Sequence, residues 1–192
     1  MAVTAHSSSQ ADRKAFTVRP AKDSDAAAIA DLGAHTFTAS FAYSVEPGEL
    51  EAYLESAYTT AAIQKDLGDP DRDVIVAVDE ADDSKLLGFA YLTRNTTATE
   101  PSVSHHTSIA ELQRIYVHPA AHGRGVGSAL KSRIHQMAAA QGFDKLWLGV
   151  WEENHKAISA YESWGYRKVG KHDFAIGPVI QTDHIMLLEQ LY

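Results

Sequence analysis

The 192-residue sequence contains no cysteine. That excludes disulfides, thiolate nucleophiles and every zinc or iron–sulfur site built on cysteine. It also lacks any run near the ~20 consecutive apolar residues that a membrane-spanning helix requires. The N-terminal stretch Met1 to Asp12 is small and polar, with Ser7, Ser8 and Ser9 in a row, and has no apolar core of the kind a secretory signal carries. Arg13 and Lys14 alone do not make the Arg-rich amphipathic helix of a mitochondrial presequence. The expectation is a disordered tail over residues 1–15, one domain over residues 16–192, and a cytoplasmic location with no membrane partner. A basic surplus is missing too: 17 Lys and Arg stand against 25 Asp and Glu, for a net charge of −8 and a pI near 5.6. Nonspecific nucleic-acid affinity comes from clustered cations that release counterions, so nucleic acid is set aside as a partner.

What is present is unevenly placed. Between Tyr43 and Asp83 twelve carboxylates face only Lys65 and Arg72, while Leu112 to Phe143 contains no acid and carries Arg114, Arg124, Lys131 and Arg133. An acid-free basic stretch within an acidic chain points to an anionic ligand; chance solvated faces are the alternative. Hydrophobic residues make up 45% of the chain, enough for one well-packed core.

The periodicity alternates strands and helices. Phe16 to Arg19 reads as a strand. Asp23-Ser24-Asp25 supplies capping chemistry for a helix from about Asp25 to Ala39. Pro47 opens a second helix to Tyr58, with Leu50, Tyr53, Leu54 and Tyr58 along one face. A short helical turn follows over Ala61 to Leu67. Val74 to Val78 and Leu86 to Leu92 form a hairpin around the polar turn Glu80 to Ser84, and Asp79 to Asp83 are read as simply solvated. Asn95 to His106 reads as a flexible loop. Beyond it come a strand over Ala110 to Val117, a helix over Val126 to Ala140, a strand over Leu146 to Val150 and a helix over Asn154 to Trp164. Two closing strands run over Tyr166 to Phe174 and Asp183 to Leu188. The order predicts a single mixed α/β (α+β) domain.

The chemistry concentrates in Leu112-Gln113-Arg114-Ile115-Tyr116-Val117 and the following His122-Gly123-Arg124-Gly125-Val126-Gly127-Ser128. Alternate glycines between a strand and a helix let backbone N–H groups converge on one anion, with the helix dipole behind them. A plain strand-to-helix turn is the alternative on the glycines alone. A nucleotide-triphosphate loop is excluded because no Gly-Lys-Ser/Thr ending follows, and the dinucleotide fingerprint needs a different glycine spacing. His118 and His122 straddle Pro119 and the glycine turn rather than one helix face, so no metal site is expected.

These two segments, together with Leu148-Gly149-Val150-Trp151 through Asn154 and Tyr161 to Gly165-Tyr166, resemble the GCN5-related N-acetyltransferases. The resemblance covers Phe16 to Tyr192 and departs from the family pattern at His122, where Gln or Arg is usual. Shorter pieces, Thr36 to Phe41, Leu50 to Leu54 and His172 to Met186, resemble the PaiA-like spermidine/spermine acetyltransferase branch. The resemblance implies a central, mostly antiparallel twisted sheet of about seven strands, splayed at an acetyl-CoA site and flanked by helices on both faces. It implies direct attack of an amine on acetyl-CoA in a ternary complex, without metal. The acceptor it implies is a small cationic, polyamine-like amine, with Glu46 to Glu55 on the substrate side of the cleft. A protein, peptide or drug-like amine is a rival acceptor, and an acetyl-CoA-binding sensor without catalysis is a rival of another class. Family members often dimerise through the late strands, so a homodimer is compatible with the resemblance.

Residue by residue, the resemblance puts the backbone of Ile115, Tyr116 and Val117 along the pantetheine, with an N–H at the level of Ile115 polarising the thioester carbonyl. It puts His122, Gly123, Arg124, Gly125, Val126, Gly127 and Ser128 around the pyrophosphate, and Asn154 and Tyr161 against the cofactor. Tyr161 is the expected proton or hydrogen-bond donor to the departing sulfur; a core tyrosine beside Ile158 is the alternative. Glu111 is the expected general base, with a water chain or a merely solvated strand-end acid as the alternatives.

Overall fold

The computed structural model describes residues 15–41, 43, 46–176 and 179–191; the tail expected over residues 1–15 lies outside them except for its last residue. Twelve elements follow one another: β1 (Phe16–Pro20), α1 (Ala26–Phe41), α2 (Pro47–Ala57), α3 (Thr60–Leu67), β2 (Arg72–Asp79), β3 (Asp82–Thr93), β4 (Ile109–Val117), α4 (Val126–Ala140), β5 (Lys145–Trp151), α5 (His155–Ser163), β6 (Arg167–Ile176) and β7 (Val179–Leu188). The strands form one seven-stranded sheet in the order β1-β2-β3-β4-β5-β7-β6. Only the β4–β5 pair is parallel. A mixed α/β domain is what the sequence pattern predicts, and a mostly antiparallel sheet of about seven strands is what the resemblance implies.

The period-two alternation of β2 divides the core. Val74, Val76 and Val78 face α1, α2 and α3, packing with Ile29, Leu32, Phe37, Leu50, Ile63 and Phe89. Ile75 and Ala77 face the other side, where α4 lays down a stripe of Val126, Leu130, Ile134 and Ala138 at four-residue spacing. The sheet is therefore buried on both faces, which explains the continuous β-branched run in β2. Gly88 lets α4 sit close: a Cβ there would lie 2.7 Å from the Tyr116 carbonyl oxygen and 3.0 Å from Leu130 Cδ1.

The site originates in β4. Its register with β3 pairs Tyr91 with Arg114 and Leu92 with Leu112, which leaves Gln113 as an extra residue. Such a bulge bends a strand and increases its twist. β4 pairs with β5 only over Ile109–Lys145, Ala110–Leu146 and Glu111–Trp147. Immediately beyond that last pair the bulge turns β4 away, while β5 stays with β7 as far as Trp151–Asp183. A wedge opens between Leu112–Val117 and Leu148–Trp151.

Two expectations are corrected. The segment from Asn95 to His106 is anchored rather than flexible: Val103 is fully buried against Ile109, Trp147, Ile185 and Leu187, and buried Glu100 meets His172 Nδ1 at 3.0 Å. Its Thr- and Ser-rich composition masks the one apolar residue that pins it. The hairpin turn is also more than solvated, because Asp83 holds Arg19 at 2.9 Å and Asp79 faces Arg124 at 3.8 Å.

Candidate active site

The wedge between β4 and β5 continues into a cleft of about 550 Å³, a volume typical of small-molecule sites. Its walls come from widely separated parts of the chain. α1 and α2 contribute Phe37, Ser40, Tyr53 and Tyr58; β4 contributes Leu112 to Val117; the α4 start contributes Gly127; β5 contributes Gly149 to Trp151; and α5 with its cap contributes Asn154, Lys156 and Tyr161. Phe174 and Asp183 close the side formed by β6 and β7.

At one end lies the glycine turn. Gly123 and Gly125 have φ of +76° and +87°, a region that glycine enters without the steric cost a Cβ imposes. A Cβ at either would meet nothing within 4 Å, so the space in front of the turn is open. Gly125 caps α4, and the first backbone closure of the helix is Ala129 N–H to the Gly125 carbonyl at 3.0 Å. The N–H groups of Val126, Gly127 and Ser128 thus precede any intrahelical acceptor and point out of the helix start, where the dipole is positive. Val126 itself is buried in the core, so only its backbone serves the turn.

Two polar side chains flank this start. His122 Nε2 lies 3.2 Å from the Val117 carbonyl, and Lys156 Nζ lies 3.5 Å from His122 Nδ1. A His122 ring that donates from Nε2 and accepts at Nδ1 satisfies both contacts at once. Lys156 was not among the expected site residues, although its position in the first turn of α5, two residues after the Asn154 cap, brings its ammonium to His122. Arg124 is placed differently from the expectation: it faces Asp79 and does not line the cleft. An open, donor-rich helix start with the Lys156 ammonium and the His122 ring beside it fits the pyrophosphate of a coenzyme A moiety. The β5-facing edge of β4 beyond Glu111 has no strand partner among the described residues, and it leads from that start into the cleft.

Deeper in, Asn154 Oδ1 caps α5 by accepting from Ala157 N–H at 3.1 Å. Tyr161 lines the cleft two turns on, in edge contact with Trp164 at 5.6 Å. Burial, with Tyr116 nearby, pushes the Tyr161 phenol well above its ordinary pKa. Tyr116 turns its side chain the other way, its hydroxyl 2.8 Å from that of Tyr58. Arg114 lies 5.0 Å from the Tyr58 ring and 5.1 Å from that of Tyr91, with Asp66 at 3.4 Å.

Glu111 does not line the cleft. It stands one residue before the lining run, 9% exposed, between Thr93 and Trp147 in register. Burial pushes its carboxyl up to about 7. The acids of α2 are likewise absent from the walls: Glu46, Glu51 and Glu55 are exposed, and the helix turns Tyr53 inward instead. The one carboxylate lining the cleft among the described residues is Asp183 of β7. Its sequence signal was an acid inside the otherwise apolar-rich final strand. Among the described residues no group of three or more His, Asp and Glu is placed to hold a metal ion, and no helix is long and apolar enough to cross a membrane.

Comparison with known proteins agrees with this geometry. An uncharacterized N-acetyltransferase of Mycobacterium tuberculosis is 27% identical over 165 residues, spanning 86% of this chain and 97% of that protein. The PaiA N-acetyltransferase of Thermoplasma acidophilum, solved in complex with coenzyme A, superimposes with a TM-score of 0.71 at 18% identity, covering 91% of this chain and 99% of that one. A GCN5-related N-acetyltransferase of Kribbella flavida gives 0.66 at 26% identity, covering 92% and 98%. The Acetyltransferase (GNAT) family matches residues 36–166, the stretch that runs from the end of α1 through the bulged strand, the glycine turn and Tyr161. The chain belongs to that family and is an N-acetyltransferase that uses acetyl-CoA.

Proposed function

We propose that the protein transfers the acetyl group of acetyl-CoA to the primary amine of a small acceptor by direct attack within the cleft. The observation that carries this reading is the wedge itself: among the described residues, a β4 edge with no strand partner leads from a helix start rich in N–H groups into a cleft lined by one carboxylate. Acetyl-CoA supplies an acetyl group activated as a thioester. The backbone N–H groups of Gly123, Gly125, Val126, Gly127 and Ser128 hold the pyrophosphate, with Lys156 adding charge and His122 a polar ring beside it. Ile115, Tyr116 and Val117 offer peptide groups to an extended pantetheine, and an N–H at the level of Ile115 faces the thioester carbonyl oxygen. One such donor is worth ~2.7–4 kcal/mol as that oxygen gains charge. Asn154 orients the α5 start against the same chain.

Tyr161 is proposed as the hydrogen-bond donor to the departing sulfur. A phenol at ~10 giving its proton outright to a thiolate at ~8.5 is uphill by about 2 kcal/mol, and burial of Tyr161 steepens that difference. The phenol therefore keeps its proton and stabilises sulfur by hydrogen bonding, while the proton that finally reaches sulfur comes from the newly acylated nitrogen. The acceptor must first lose a proton: for an alkylamine at ~10.4 the neutral fraction at pH 7 costs about 4.6 kcal/mol.

A polyamine-like cation is the finer reading of the acceptor. Asp183 is the acid on the wall that supports it. Arg114 on the β4 wall favours a second reading, an acceptor that carries a carboxylate beside its amine. A cytoplasmic location goes with either. The test is thiol release from acetyl-CoA with a panel of polyamines, monoamines, amino acids, aminosugars and peptides, alongside acetyl-CoA binding by calorimetry. Turnover with a small amine is the expected result. Tight acetyl-CoA binding with no turnover on any amine would make the protein a sensor and end the reading.

A further inference from the structure

We infer that Asp183 is the group that receives the acceptor's ammonium and removes its proton. The inference rests on the acetyl-transfer reading and assigns the step that reading leaves open.

Three observations place the carboxylate. Asp183 lines the cleft on the side away from the glycine turn, opposite Trp151 in the β5–β7 register. Its side chain lies across β5 because residue 149 is glycine: a Cβ at Gly149 would come within 3.2 Å of Asp183 Oδ2 and 3.9 Å of its Cβ and Cγ. With no side chain there, the carboxylate reaches the border of the wedge, where β4 and β5 part. Finally, Asp183 Oδ1 is buried without a hydrogen-bond partner among the described residues. A buried acceptor left open in a cleft costs stability, and an alkylammonium is the chemical group that satisfies it.

The surroundings set its proton affinity. His172 of β6 is opposite in register and pulls the value down, though that ring already faces Glu100. Tyr53 of α2 and Tyr116 of β4 feel the Asp183 charge from the other walls, while the nearest β5 positions, Gly149 and Trp151, carry none. Burial dominates and pushes the carboxyl up to about 6. It is ionised at neutral pH yet closer to the amine in proton affinity than a solvated aspartate.

The step balances as follows. The ammonium gives one proton to Asp183 and becomes a neutral amine. Its lone pair forms the N–C bond to the acetyl carbon, the C–S bond breaks with its electron pair on sulfur, and the nitrogen's surplus proton passes to that sulfur. Asp183 then releases the first proton to water.

The experiment is the pH dependence of kcat/KM for the fastest panel amine, with n-butylamine as the reference acceptor. With Asp183 as base the productive pair is carboxylate plus ammonium, so kcat/KM rises up to about pH 6 and is then flat to the amine's own pKa. In Asp183→Asn only free neutral amine reacts. The profile becomes a tenfold rise per pH unit throughout, and kcat/KM at pH 7.5 falls by about 10²–10⁴, with acetyl-CoA affinity within twofold of wild type. Gly149→Ala, which crowds the same carboxylate from across the strand, is expected to lower the plateau while keeping acetyl-CoA binding. A wild-type profile that already rises tenfold per unit from pH 6 to 9 overturns the inference without any variant. So does an Asp183→Asn enzyme with wild-type kcat/KM while Glu111→Gln carries the loss. Failure of every amine with wild-type enzyme would instead fall on the acetyl-transfer reading itself.

Discussion

Tyr161 holds its proton more firmly than a phenol in water, because ionising it in a buried setting beside Tyr116 and Tyr166 would strand a charge. A hydrogen bond to sulfur is the role that this allows. Tyr161→Phe is therefore expected to lower kcat by about 10–10³-fold and leave acetyl-CoA affinity unchanged; equal kcat in the two proteins would remove the role. Glu111 shows the opposite face of burial. Its raised value of about 7 means the ionised carboxylate is tolerated at a cost. The sign follows from linkage: a carboxyl whose folded pKa lies above the unfolded one weakens the fold once pH exceeds the unfolded value, increasingly so up to the folded pKa. Glu111→Gln should accordingly be more stable than wild type above pH 8, on the order of 2–3 kcal/mol by urea unfolding, with the gain vanishing near pH 4. Side chains carried by a local motif, such as Asn154 and Tyr161, were legible in the sequence. Lys156 and Asp183 were not: each acts through a neighbour brought near by folding, His122 for one and Gly149 for the other.

The helix start of α4 joins the element scale to binding. Gly125 needs its positive φ, and the volume in front of it is empty of protein, so a side chain there strains the turn and enters the anion's space together. Gly125→Val is expected to weaken acetyl-CoA binding by at least 10²-fold in calorimetry while the isolated fold still melts cooperatively; retained micromolar affinity would put the phosphate site elsewhere. The elements were largely legible, and the bounds of α4 came out as expected, because amphipathic stripes and glycine punctuation are local signals. Two things were not. The bulge at Gln113 leaves no mark in composition, since it exists only in the register against β3. The packed segment before β4 hides behind its polar residues, with Val103 alone supplying the anchor.

At the scale of the molecule the net charge of −8 separates by location rather than by sign alone. The acid-free stretch folds into the glycine turn and α4. The acid-rich stretch does not fold into the cleft. It spreads over the outside of α2, the Asp66 pair with Arg72, and the hairpin contacts of Asp79 and Asp83. Neutralising Glu49, Glu51 and Glu55 together is thus expected to change KM for spermidine by less than about threefold at 150 mM salt, where exposed charges beyond ~8 Å are screened; a tenfold rise would put those acids on the acceptor after all. The sheet order, with β7 inserted between β5 and β6, was out of reach of local patterning. It is also what carries Asp183 to the wedge.

The central claim is direct transfer from acetyl-CoA to an amine held in that wedge, and it is tested most directly by following a labelled acetyl group. With labelled acetyl-CoA and an active amine, the label is expected on the amine nitrogen, one thiol released per amide formed, and none on the protein when the amine is left out. Label retained by the protein without an acceptor, or thiol release with no labelled amide, would contradict it.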